Sequence, residues 1–467
     1  MSQRISSIRV LGERVSACAL WAVLASLSGC DAGNTTDTPD GALAIVTGQE
    51  TDTWTQTPVP QSVLAELVGT MRTSLGTVPA PATAVSLGSG SPAESPASFE
   101  ITGFDADNNA VIAGTSVPLS IDTFAGAAPS VFVGRTGGFS RGPGALVFEY
   151  RHPLLEVISH AFVIIAGGDV PNAAQASVDV YDMANWVVAP KQAWLPRVPK
   201  SWAVAGANLL VIDETGAIWL DVTTGDTAAV TGPSGFNFAD IVGGQTLVGA
   251  SDTRYIVGAT RATGDPSASV LRVASDGTLR ALTLSSARLG AAAAVVDGQL
   301  VVTGGSASGA GVEALNADET TFVALAYPPD ATQGAALTEL TTTTAVVVGG
   351  VDPATSTQGG LRTIDLTCTD SCAASPLANA DFSYSQAQAF QLGNRNVMVT
   401  GESADGETHA FTLSKTVGYE LTEQPLRTPR TGASSFLMPN GQVGLVAGDA
   451  LADGTPASSV ELFFPVQ

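Results

Sequence analysis

Apolar residues run through most of this chain in short stretches, each closed by a turn pair, and never in the long helical period of i, i+3, i+4. Ala292-Ala-Ala-Val-Val296 meets Asp297-Gly298, and Gln299-Leu-Val-Val-Thr303 follows and stops at Gly304-Gly305. Asp-Gly between two apolar runs is a hairpin signal, so this stretch predicts strand, tight turn, strand. After a variable loop comes Gly311-Val-Glu-Ala-Leu-Asn316, a third strand. The same order recurs at the end of the chain, where Asn440-Gly441 supplies the turn, Val443-Gly-Leu-Val-Ala-Gly-Asp449 the second strand and Ser459-Val-Glu-Leu-Phe-Phe464 the third. More worn copies pair Ala161-Phe-Val-Ile-Ile-Ala-Gly-Gly168 with Ser177-Val-Asp-Val-Tyr-Asp182, and Ala345-Val-Val-Val-Gly-Gly350 with Leu361-Arg-Thr-Ile-Asp-Leu366. Asn396-Val-Met-Val-Thr-Gly401 before His409-Ala-Phe-Thr-Leu413 keeps one glycine, and Arg254-Tyr-Ile-Val-Gly258 before Val270-Leu-Arg-Val-Ala274 is fainter still. Gly305 to Gly350 is 45 positions and Gly401 to Gly448 is 47, the spacing of one four-stranded repeat in an all-β array.

In two copies the unit opens with Arg-x-Gly-Ala, as Arg288-Leu-Gly-Ala291 and Arg430-Thr-Gly-Ala433. That opening, with the hairpin turn, the strand into Gly-Gly and the Val-Glu-x-Leu strand, resembles the kelch repeat of the galactose-oxidase-like β-propellers. The resemblance covers residues 139–467 and implies six or seven four-stranded blades. The chain stops after the third strand of its last unit, and a ring needs its outer edge completed. Ser130-Val-Phe-Val-Gly134 is the expected closing strand. A further copy, ending in Trp219-Leu-Asp-Val-Thr-Thr-Gly225, looks like the repeats of quinoprotein propellers and counts as a blade rather than a cofactor site. The copper-radical set of galactose oxidase, with paired tyrosines, two histidines and a tyrosine-linked cysteine, cannot be assembled from the residues present. Ser275-Asp-Gly-Thr278 is the nearest approach to a sialidase box and does not match one. No catalytic residue and no cofactor is expected.

Residues 42–129 have another texture. Ala42-Leu-Ala-Ile-Val46, Val63-Leu-Ala-Glu-Leu-Val68, Ser98-Phe-Glu-Ile-Thr102 and Ala110-Val-Ile-Ala113 are separated by Pro, Gly and Ser. Short strands without the Gly-Gly signature predict a small β-sandwich-like domain, with an eroded first blade as the alternative. Asp105-Ala-Asp-Asn-Asn109 has calcium-like alternation but lacks the glycine and distal glutamate of a calcium loop, so it reads as a turn.

Residues 1–30 are an address. Arg4, Arg9 and Arg14 precede an apolar run from Val15 to Leu27, too short for a comfortable permanent span. The run ends in Leu27-Ser-Gly-Cys30, which resembles the bacterial lipobox. This implies diacylglycerol on Cys30, with residues 31–41 as a polar tether. A membrane partner, through that lipid, and a place in the cell envelope, periplasmic or surface-exposed, are the corresponding expectations.

Composition then narrows the partners. With 43 acids against 20 bases, a net charge of -23 and lysine only at positions 191, 200 and 415, the chain lacks the basic footprint that nucleic acid requires. Cys368 and Cys372 form a close even pair suited to a disulfide in an exported protein. His152, His160 and His409 lie far apart without ligand-spaced partners, so no metal site is expected. Arg141, Arg197, Arg288, Arg427 and Arg430 recur near the starts of units, where they bind neighbouring strands or, alternatively, ring the channel for an anionic ligand. The function expected is protein or glycan binding by the propeller. The competing class, an exported enzyme acting on carbohydrate, predicts carboxylates or a Tyr/His/Arg set converging on one propeller face.

Overall fold

The computed structural model describes residues 41–87, 96–119, 129–169, 176–377, 382–392, 396–414 and 419–466. Cys30, the leader before it and residues 31–40 lie outside them. Among the described residues there is no α-helix, and no helix long and apolar enough to cross a membrane.

The described residues contain seven four-stranded antiparallel sheets. In chain order the blades begin at Leu154–Ile158, Ser201–Ala205, Gln245–Val248, Ala292–Val296, Ala336–Thr341, Ser385–Gln391 and Ser434–Leu437. Successive first strands pack against one another, and Leu154–Ile158 also meets Ser434–Leu437, so the array closes on itself as a β-propeller. Between the sixth and seventh blades, hydrogen bonds join the first strand of blade 7 to blade 6, with Ser435 N donating to Gln388 Oε1 at 2.8 Å and the Thr400 and Ser435 hydroxyls 2.9 Å apart, while Met398 and Ala410 pack against Val443, Leu445 and Phe463.

Polarity falls toward the middle of each blade. Second strands such as Phe162–Ala166 are buried at every position, whereas the outer strand Thr227–Ala229 is exposed throughout. The apolar side chains sort into cores between neighbouring blades rather than within one. Tyr255, Val257 and Leu282 of blade 3 meet Ala293, Leu300 and Val302 of blade 4. Blade 4 meets blade 5 through Val301, Val312, Leu337 and Val347. Val163, Ile165 and Tyr181 of blade 1 meet Phe436, Val446 and Leu462 of blade 7. Each such Val, Leu, Ile or Phe adds about 1.5–3 kcal/mol on full burial, so a blade draws most of its stability from its neighbours.

The ring closes two strands later than the sequence suggests. The outer strand of blade 7 is Gly138–Arg141, paired antiparallel with Glu461–Phe464 from Arg141 opposite Glu461 to Gly138 opposite Phe464. Ser130–Phe132 instead runs parallel to Ala42–Val46, and Gly134–Arg135 pairs with Ala110–Thr115. Val131, Phe132 and Val133 are all fully buried: Val131 and Val133 join the core of the N-terminal sheets, and the Phe132 ring packs edge-on against Trp186 and Phe464. Ser130–Phe132 and Gly134–Arg135, on the propeller side of the expected boundary at residue 130, pair with N-terminal strands.

Those sheets are a three-stranded one, Ala84–Ser86, Ala42–Val46 and Ser130–Phe132, and a five-stranded one led by Arg72–Pro79 and Ser62–Val68. They share one core of Leu43, Ile45, Val63, Ile101, Ile112 and Val131. Asp105 caps the hairpin between Ser98–Phe104 and Ala110–Thr115, its carboxylate accepting from the Asp107 and Asn109 N–H groups. Glu50 then ties this part to the closing strand, its Oε1 accepting from Arg141 N and Nε, each at 3.0 Å. Burial works to raise the Glu50 pKa, but the Arg141 bonds and charge outweigh it and hold the carboxyl below its usual range.

Candidate functional site

The end of the ring where first strands begin and second strands finish is built on one repeated latch. In blade 4, Arg288 lies four residues before Ala292 and is fully buried. Its guanidinium donates to Glu313 Oε1 at 2.8 Å, Gly304 O at 2.7 Å and Ala310 O at 2.6 Å. Blade 7 repeats it: buried Arg430, four before Ser434, pairs with buried Glu461 and reaches Ala447 O and Ser459 O. Glu461 also accepts from Arg427 N and Thr428 N. Both acids stand at the same strand register, Glu313 opposite Val302 and Glu461 opposite Leu445.

Elsewhere the latch is rebuilt. In blade 1 the acid is Asp179, which still accepts from Val147 N and Phe148 N, but Tyr150 stands in the arginine's place. Blade 6 has Tyr384 and Phe411 there, rings 5.1 Å apart. In blade 2, Arg197 turns to Asp213 at 3.1 Å. Blade 5 reverses the signs: the position of the glutamate holds Arg362, opposite Val347, and it pairs with Asp330 at 2.8 Å. The recurring arginines thus brace strands and do not ring the channel.

Two residues after the latch position, blades 4, 5 and 7 have a left-handed glycine, Gly290, Gly334 and Gly432 at φ +63°, +69° and +70°. Blade 1 has His152 there, at φ +46°. The conformation costs a side chain of order 1–3 kcal/mol and persists where surroundings impose it. They do so here. His152 N donates to Gly432 O at 2.8 Å, as Gly334 N does to Gly290 O at 2.9 Å. The imidazole Nε2 lies 2.7 Å from Glu402 Oε1 and Nδ1 lies 2.8 Å from Asp169 Oδ2. Glu402 Oε1 also accepts from Gly432 N at 3.0 Å. Beside them Arg151 pairs with Asp449. Five charged side chains from blades 1, 6 and 7 therefore converge on one end of the ring. The Glu402 bond raises the His152 pKa most, burial opposes it, and Asp169 adds to the rise, so the ring is pushed up to about 9. At neutral pH both ring nitrogens carry protons already bonded to carboxylates. Asp169 and Arg151 remain 76% and 54% exposed.

A second feature lies between blades 4 and 5, a cavity of about 150 Å³ walled by Val312, Tyr327, Pro328, Pro329 and Ile364 with Arg362 at its polar end.

Of the residues singled out in the sequence, Cys30 is outside the described region. Cys368 and Cys372 are joined in a disulfide, and Cys372 N donates to Ala326 O, which clasps this loop of blade 5 to the end of blade 4. His152, His160 and His409 do not come together, and among the described residues no group of His, Cys, Asp or Glu is arranged to hold a metal. His152 and Arg362 were missed as site residues. Aligning the copies on Arg-x-Gly would have shown a histidine in a glycine's place.

No protein-family model and no curated protein matches the chain. Among solved structures it is similar to one titled streptogramin B lyase, with TM-score 0.44 and 11% identity over 70% of this chain and 97% of that one. It is also similar to the structure of YjhT, with TM-score 0.39 and 12% identity over 68% of this chain and 95% of that one.

Proposed function

We propose that the protein is a lipid-anchored binding module of the bacterial cell envelope, tethered through Cys30 and presenting a kelch-like propeller to a protein or glycan ligand. The observation that carries the binding reading is the fixed charge set around His152. Both imidazole nitrogens are occupied by carboxylates, so the ring has no free lone pair with which to accept a proton from a substrate. It holds Asp169 in place instead.

Fractionation with protease shaving of intact cells tests the anchor. Wild type is expected in the membrane fraction and Cys30→Ser in the soluble fraction; a Cys30→Ser protein that fractionates like wild type removes the anchor. A pull-down on envelope material tests the face, with Asp169→Asn/Arg151→Gln expected to lose what wild type retains. The convergence of His152, Glu402 and Asp169 also favours a second reading, an exported enzyme acting on carbohydrate with the propeller as platform. That reading requires product release from envelope glycans that Glu402→Gln abolishes.

A further inference from the structure

The reversed latch of blade 5 has opened a space that the forward latch fills. In blade 4 the guanidinium enters from Arg288 and is fully buried between strands. In blade 5 the equivalent position, four before Ala336, is Thr332, and the guanidinium comes from the third strand as Arg362 and lines the cavity against blade 4.

The cavity is preformed. Pro328 and Pro329 fix the backbone of one wall. Gly311 lets that wall cross blade 4, because a Cβ there would fall 1.8 Å from Pro328 O. The Tyr327 hydroxyl is held by Asp365, donating to its carbonyl at 3.0 Å and accepting from its N–H at 2.8 Å. A site with its walls already ordered loses little entropy on binding.

The chemistry of the lining narrows the ligand. Both Asp330 oxygens are engaged, Oδ2 by Arg362 and Oδ1 by Thr332 N. Burial works to raise its pKa, but the Arg362 charge and the Thr332 bonds outweigh that and keep it ionised. The ion pair cancels, so the cavity favours neither an anion nor a cation. What remains is donor capacity. Arg362 uses Nη1 on Gly359 O and Nη2 on Asp330, leaving Nε and one hydrogen on each terminal nitrogen without a partner among the described residues. The other walls are a tyrosine ring, two prolines and aliphatic side chains. A cavity of about 150 Å³ takes one six-membered ring. A neutral ring with acceptor oxygens on one edge and C–H groups on its faces satisfies every term.

We propose that the cleft between blades 4 and 5 binds a single neutral pyranose residue of a glycan, a site separate from the His152 face. The proposal rests on the glycan-binding reading above and adds a second contact for the glycan, apart from the His152 face.

The test titrates the Cys30→Ser chain with methyl glycosides of glucose, galactose, mannose and N-acetylglucosamine, and with glucuronate, by saturation-transfer NMR and calorimetry. At least one neutral glycoside is expected to saturate. Its affinity should fall roughly tenfold in Arg362→Lys, which keeps the charge opposite Asp330 but loses the guanidinium donors. Ala374→Phe, which fills the cavity without touching the ion pair, should abolish binding at an unchanged circular-dichroism spectrum. If Ala374→Phe unfolds, Arg362→Lys alone decides. Saturation by no neutral glycoside, tighter binding of glucuronate than of glucose, or equal affinity in both variants overturns the proposal. If wild type retains envelope material that Ala374→Phe retains equally, the cleft fails while the binding reading stands. If wild type retains nothing and no glycoside binds, both fail.

Discussion

Arg288 gives up all contact with water, as does Arg430; Arg288 is compensated by one carboxylate and main-chain carbonyls, and Arg430 by these and the Ser459 hydroxyl. Such a pair is costly to break on one side and cheap to replace on both. Arg288→Met is therefore expected to lower stability by about 3–5 kcal/mol, and the double variant Arg288→Met/Glu313→Leu to recover most of it, read by urea unfolding. A single-variant loss below about 1 kcal/mol would show that Glu313 is not stranded. His152 makes a different prediction. Its folded pKa of about 9 exceeds its unfolded value of about 6.5, so its contribution is fully present below pH 6.5 and is lost as pH rises through 9. The ring is 34% exposed and faces Asp169 and Glu402 with Arg151 and Asp449 alongside, so screening reduces the effect to about 1 kcal/mol. Melting temperature should fall between pH 6.5 and 9 in wild type and less steeply in His152→Gln. The difference between the two curves isolates His152 from Glu156, whose burial outweighs the opposing Arg254 charge and pushes its carboxyl up to about 7. The arginine latches were legible because Arg288 and Arg430 keep the repeat's own residues. Tyr150, Tyr384 and the Asp330–Arg362 pair were not, because each solves the same buried-charge problem with different chemistry. Glu402 stands 250 residues from His152, a separation no local pattern spans.

The four-stranded sheets were readable wherever a hairpin turn and a glycine-terminated strand survive, and remained recognisable even in the faint copy at Arg254–Val257. The closing strand was not. Ser130-Val-Phe-Val has the apolar look of a strand, but its valine side chains are taken up by the N-terminal core, and the short Gly138-Phe-Ser-Arg stretch that pairs with Glu461–Phe464 carries little strand pattern of its own. The Cys368–Cys372 loop shows how a blade's rim is held. It is five residues around, with Cys372 buried among Tyr327, Val312 and Ile364. Closing so small a loop contributes about 2 kcal/mol, so Cys368→Ser/Cys372→Ser should lose about that much in chemical denaturation. The loss should vanish when wild type is measured under reductant.

Across the whole molecule the apolar cores sit at the joints between blades, so the ring is expected to stand or fall together rather than blade by blade. The last joint is made by strands from opposite ends of the propeller, with Gly138 opposite Phe464 and Arg141 opposite Glu461. In that antiparallel pair the chain enters and leaves at the same end. Tension applied between the N-terminal side and the C-terminus therefore falls first on the rung at Gly138 and Phe464, then on each rung in turn. The closure is strong against heat, which must break all its rungs at once, and weak against traction, which opens it like a zip.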